Sequence, residues 1–101
     1  MNIKTINDLE KVIKSKKIFE KYGLGQIGVF GSFARGEDAN DIDFYIDSET
    51  YNLKILLELK KELEIITEKE VDIMLKKYAN PIFLHRAKKD MIYMQQKMPK
   101  V

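Results

Sequence analysis

Residues 41–47, Asp-Ile-Asp-Phe-Tyr-Ile-Asp, alternate between two chemistries. Successive side chains of a strand point to opposite faces, so Ile42, Phe44 and Ile46 share one face while Asp41, Asp43, Tyr45 and Asp47 share the other. This strand lies in the most acidic part of the chain. Residues 36–49 hold six acids (Glu37, Asp38, Asp41, Asp43, Asp47, Glu49) and neither Lys nor Arg. Residues 1–35 hold seven basic and three acidic groups, and residues 50–101 eleven and seven, so a formal net charge of +2 conceals segments of +4, −6 and +4. Charge runs are usually solvated faces. This one contains a strand, and its acidic face needs a further reason.

The remaining composition sets limits. A chain of 101 residues with 45% hydrophobic residues suffices for one ordinary core, so a single domain over residues 1–101 is expected, without room for a separate substrate-recognition module. No cysteine is present, which excludes disulfides, thiolate metal sites and a cysteine nucleophile. No apolar run approaches the roughly 20 residues a membrane span requires, and Met1 to Asp8 lacks the basic start and apolar stretch of a signal peptide. A cytoplasmic location without membrane contact is the expectation.

Apolar residues at Ile6, Leu9, Val12, Ile13, Phe19 and Tyr22 predict a first helix, interrupted only by Lys16 and Lys17, opened by a Thr5/Asp8 capping box and stopped by Gly23 and Gly25. Residues 26–30 read as a strand running into Gly31-Ser32 and a helical turn. A Leu-rich helix follows over Tyr51 to Glu64, with Ile55, Leu56, Leu59 and Leu63 on its apolar face. Residues 70–75 form a third strand, with Val71, Ile73 and Leu75 toward the core and Asp72 opposite, beside Met74. Asn80-Pro81 starts a helix through about Lys89. A short strand over Met91 to Met94 closes the order. The fold class is α/β (α+β), a small mixed sheet with helices on one face. The other face carries the aspartates.

Asp41 and Asp43, at i and i+2, project from one face about 6.5–7 Å apart along the strand. Like charges so close raise each other's pKa unless a cation sits between them, and hard oxygen ligands suit Mg²⁺. Asp72, on the same side of another strand, could complete a three-carboxylate site able to hold two divalent ions about 3.5–4 Å apart, the arrangement for in-line displacement at phosphorus. Gly31 and Ser32 between a strand and a helical turn offer backbone N–H groups to a phosphate. Together these supply both halves of a Mg-nucleoside triphosphate site.

The run Gly31-Ser32-Phe33-Ala34-Arg35-Gly36 followed by Asp41-Ile42-Asp43 resembles the signature of the minimal nucleotidyltransferases, the smallest members of the DNA polymerase beta superfamily. Val71-Asp72-Ile73 matches where that family places its third carboxylate, and the resemblance covers nearly the whole chain. Eight residues separate Ser32 from Asp41, against about ten in the family pattern, and Asn40 stands where a serine is usual. The resemblance implies a DNA polymerase beta-like fold, two Mg²⁺ ions held by Asp41 and Asp43, and Asp72 ligating the catalytic ion and helping to deprotonate the acceptor hydroxyl. It also implies ATP as substrate, its triphosphate held by Gly31, Ser32 and the adjacent backbone. Arg35 either contacts phosphate or pairs with Glu37 or Asp38. His85 is expected away from the site, Lys76 and Lys77 solvated, and the methionines core fillers or part of a frayed C-terminus.

Stand-alone proteins of this family are typically paired with a helical HEPN-domain toxin, and the resemblance implies an antitoxin that transfers AMP to a tyrosine of that partner. A binding-only antitoxin, its transfer abolished by the tighter loop, and nucleotidyl transfer to RNA or a small hydroxylated molecule are the alternatives. The acidic window argues for metal rather than direct nucleic-acid contact. A homo- or hetero-oligomer is compatible with all of these.

Overall fold

The computed structural model, which describes residues 3–48 and 51–96, opens its first helix at the capping pair. The Thr5 hydroxyl accepts the Asp8 N–H at 3.1 Å, while Asp8 Oδ2 accepts the backbone N–H groups of Lys4 and Thr5 at 3.1 and 3.2 Å. This reciprocal cap starts α1 (Ile6–Ser15), which buries Leu9, Val12 and Ile13. The continuous helix expected through Tyr22 is instead broken. Lys17 adopts φ 55 and the chain restarts as α2 (Ile18–Tyr22), ended by Gly23 at φ 66. On an unbroken helix Ile18 would lie about 140° around the axis from Ile13. The break returns Ile18 and Phe19 to the core, where both are buried.

β1 (Gln26–Phe30) leads into the single turn α3 (Gly31–Ala34), and β2 (Asp41–Ile46) follows the acidic loop. Glu49, the last acid of that window, lies outside the described residues, as do Met1 and Met98. α4 (Leu53–Thr67) starts later than the periodicity suggested, because the Asn52 side chain accepts the N–H groups of Lys54 and Ile55, and it runs further, ending where Glu68 takes φ 57. Its buried line runs through Leu59, Leu63 and Thr67, with Leu56 and Ile66 packed alongside, whereas Ile55 is exposed. Tyr51 precedes the helix and donates its hydroxyl to the Tyr22 carbonyl at 2.9 Å.

β3 (Glu70–Leu75) and a 3₁₀ turn (Lys76–Tyr78) precede α5 (Pro81–Ala87), which Asn80 caps by accepting from Ile82 and Phe83. β4 (Ile92–Gln95) begins one residue later than expected, in the register that opposes Ile92 to Val29 and Met94 to Ile27. The sheet order is β3-β2-β1-β4, with β2 and β3 parallel and the other neighbours antiparallel. It is a mixed sheet, as expected.

Ile27, Val29, Ile42, Phe44, Val71 and Met94 meet the buried residues of α1, α2 and α4 in the principal core. The expectation of helices on one face holds for these three. α5 departs from it: Ala87 and Leu84 pack with Phe30, Tyr45, Met74 and Met91 on the opposite face, the one that carries Asp43. No helix among the described residues is long and apolar enough to cross a membrane.

Candidate active site

Register brings the aspartates together. β1 and β2 pair so that Phe30 opposes Asp43, and the parallel pairing of β2 with β3 sets Asp72 directly beside Asp43. Carboxylate oxygens of Asp41, Asp43 and Asp72 all lie within 4.8 Å of one another, with Asp41 and Asp43 half-buried and Asp72 exposed. Burial first, then the charges of Asp41 and Asp72, hold the Asp43 carboxyl above its ordinary range, while Arg35 pulls it down. Three hard oxygen donors at this separation, one of them resisting ionisation, fit a divalent cation of the Mg²⁺ type.

At the end of β1, Gly31 adopts φ 76 and turns the chain into α3. Phe30, at the cap position, has no side-chain acceptor, and among the described residues no side chain caps this turn. The loop back to β2 is short and well held. Glu37 N–H donates to the Ser32 carbonyl at 3.1 Å, Lys69 Nζ to the Ala39 carbonyl at 2.9 Å, and Glu70 N–H to the Asn40 carbonyl at 3.2 Å.

A cleft of about 470 Å³ opens between the carboxylates and α5, lined by Gly31, Arg35, Asp43 and Asp72 on one side and by Phe83, Arg86 and Ala87 on the other. Ser32 follows Gly31 in the same turn but does not line it. Arg35 is engaged: Nε donates to Glu37 Oε2 at 2.6 Å and Nη1 to Asp90 Oδ2 at 3.0 Å. Of its two expected ion-pair partners only Glu37 is used; Asp90, after α5, replaces Asp38. His85 lies on α5, next to the site, yet it does not line the cleft. Lys76 is paired with Asp47 at 3.4 Å rather than freely solvated. A larger depression of about 640 Å³ at the other end of the sheet, by Gln26, Asp47 and Gln95, contains none of the expected site residues.

Phe30, Phe83, Arg86 and Asp90 were not singled out by the sequence. The available signal was the spacing of Phe83 and Arg86, at i and i+3 on one helix, and the fact that Arg86 is the second of only two arginines.

Carboxylates gathered beside an uncapped turn at a strand end suit an enzyme acting on a phosphate-bearing substrate. The chain belongs to the polymerase beta nucleotidyltransferase family, whose model, described as "Polymerase beta, Nucleotidyltransferase", matches residues 13–98. It is 34% identical over 97 residues to "Putative protein adenylyltransferase MJ0126" of Methanocaldococcus jannaschii, covering 90% of this chain and 99% of that protein. It is 33% identical over 81 residues to "Protein adenylyltransferase MntA" of Thermococcus cleftensis, covering 75% of this chain and 82% of the relative. Among solved structures, one described as "Structure of putative minimal nucleotidyltransferase" superposes with a TM-score of 0.70 at 25% identity, covering 91% of this chain and 95% of that one. Fold and family together make this chain a nucleotidyltransferase.

Proposed function

We propose that the chain, as one nucleotidyltransferase domain over residues 1–101, is a cytoplasmic antitoxin that transfers AMP from ATP to a tyrosine hydroxyl of a HEPN-domain partner. The observation that carries this reading is the convergence of the Asp41, Asp43 and Asp72 carboxylates within 4.8 Å, in a chain similar to proteins named protein adenylyltransferase.

In this reading Asp41 and Asp43 would hold two Mg²⁺ ions, with Asp72 a further ligand to one of them. Bound there, Mg²⁺ supplies charge neutralisation for the triphosphate and for the transition state at phosphorus. The N–H groups of Gly31 and Ser32 receive the phosphate tail. Asp72 takes the proton from the acceptor hydroxyl. The hydroxyl oxygen bonds to the α-phosphorus, the bond from that phosphorus to the β-bridging oxygen breaks, and pyrophosphate leaves in line.

Purified chain, Mg-ATP and the HEPN-domain partner should yield a partner adduct of about 329 Da by mass spectrometry, as AMP transfer requires. Its absence from an intact complex would instead favour inhibition by binding alone. Label from ATP found on added RNA would move the acceptor to nucleic acid. Asp41→Asn with Asp43→Asn should abolish the adduct while leaving the complex assembled.

A further inference from the structure

The two arginines of the chain both line the cleft, but they are held differently. Arg35 is committed to Glu37 and Asp90, and so ties α3 to the segment following α5. The Arg86 guanidinium has no hydrogen bond or ion pair among the described residues, its backbone carbonyl alone accepting at the end of α5, although Asp43, Asp72 and Asp90 line the same cleft. Three positions earlier on α5, Phe83 meets Phe30 edge-on, with ring centroids 6.1 Å apart and planes at 78°, and remains 53% exposed. Residues at i and i+3 share a helix face with Cβ atoms about 5–6 Å apart. This face of α5 therefore presents an open aromatic ring and an uncommitted guanidinium side by side. The exposed neighbours Ile82 and His85 do not line the cleft.

The geometry points to Phe83 and Arg86 as the wall that grips the nucleotide: Arg86 binds a phosphate oxygen, Phe83 stacks on the base, and Arg35 positions α5 without touching substrate. This inference rests on the reading of the cleft as the nucleotide site. An aromatic base joined to an anion is the complement of a ring and a cation at this spacing. Guanidinium stays charged and forks onto phosphate oxygens. With Arg35 balanced by two carboxylates, Arg86 is, among the described residues, the cationic side chain left in the cleft for an incoming anion. Stacking on Phe83 favours a base without choosing which one, because every base has a π face.

The test is calorimetric titration of the full chain in Mg²⁺ with α,β-methylene-ATP and, separately, inorganic tripolyphosphate. No acceptor is present, so an error in the proposed acceptor leaves the result untouched. Arg86→Ala should weaken both probes by about tenfold or more, with partial recovery in Arg86→Lys. Phe83→Ala should weaken the nucleotide analogue by about fivefold or more and leave tripolyphosphate unchanged, and Phe83→Tyr should restore it. Arg35→Ala should cost less than Arg86→Ala, and thermal melts should show all variants folded. The inference is overturned if Arg86→Ala binds both probes as wild type does, or if Arg35→Ala costs more. It is equally overturned if wild type binds the analogue but not tripolyphosphate. A wild-type chain that binds neither probe sinks the nucleotide reading itself.

Discussion

Gly31 sits so close beneath the Asp43 carboxylate that a Cβ built on it would overlap Oδ2. The same residue adopts φ 76, which an L side chain rarely takes. One glycine thus turns β1 into α3 and leaves room for a carboxylate of the triad. Gly31→Ala should cost about 1–2 kcal/mol through the backbone alone. By displacing Asp43 it should also slow AMP transfer by about a hundredfold, the scale expected for a misplacement of roughly 1 Å. Thermal melts and single-turnover transfer measure the two effects separately. A variant with wild-type turnover would contradict the contact.

The raised pKa of Asp43 has a definite sign in stability. Burial, followed by Asp41 and Asp72, makes its carboxyl easier to protonate in the folded chain than in the unfolded one. The folded state therefore binds more protons, and stability is lost as pH rises from the unfolded pKa through the raised folded value. In EDTA, Asp43→Asn should melt above wild type near neutral pH, and the gap should narrow as pH falls below the ordinary aspartate range of about 4. Added Mg²⁺ should raise the wild-type melt more than that of the variant. A gap independent of pH would show that Asp43 is not electrostatically strained.

The convergence of the carboxylates was legible because it depends on two period-two patterns. In Asp41-Ile42-Asp43 and Val71-Asp72-Ile73 the strands bury Ile42 and Val71 and half-bury Ile73, and once the two strands pair in parallel, Asp43 and Asp72 must face the same way. The position of α5 was not legible for the converse reason. Only Ala87 is fully buried on it, while Ile82 and Phe83 are exposed, so no apolar stripe announces which face it covers. Its place depends on Phe30, Tyr45 and Met74, which three different strands contribute. The break at Lys17 was hidden similarly, since lysine carries no signal for φ 55 and the rephasing serves Ile18 and Phe19.

The cap of α1 offers a test remote from the site. The Lys4 N–H holds the Asp8 carboxyl below its ordinary value, with the Thr5 N–H and hydroxyl and the Lys11 charge adding to it. Thr5→Ala should cost about 1 kcal/mol at neutral pH. A depressed folded pKa contributes stability above the unfolded pKa that disappears as pH falls through the folded value. Asp8→Asn should therefore be destabilising at neutral pH, with its deficit vanishing in acid. Denaturant melts at several pH values follow it, and a deficit that persists in acid would refute the electrostatic account.

Tyr45 is 1% exposed, and among the described residues its hydroxyl meets no hydrogen-bond partner. Gly28 lies directly opposite it on β1, and Ala87 of α5 closes over the same cluster. Burial, then the charge of Asp47 and the neighbouring Tyr93, push its phenol pKa up, as expected for a hydroxyl removed from water. An unsatisfied buried hydroxyl costs its desolvation without return, whereas the ring contributes through packing. Tyr45→Phe should accordingly be neutral or stabilising by about 1 kcal/mol, while Tyr45→Ala should cost about 3–5 kcal/mol through the cavity it leaves. Urea denaturation of the two variants separates ring from hydroxyl. A Tyr45→Phe loss above about 1 kcal/mol would mean that the hydroxyl is satisfied in solution, for example by a buried water bridging toward α5.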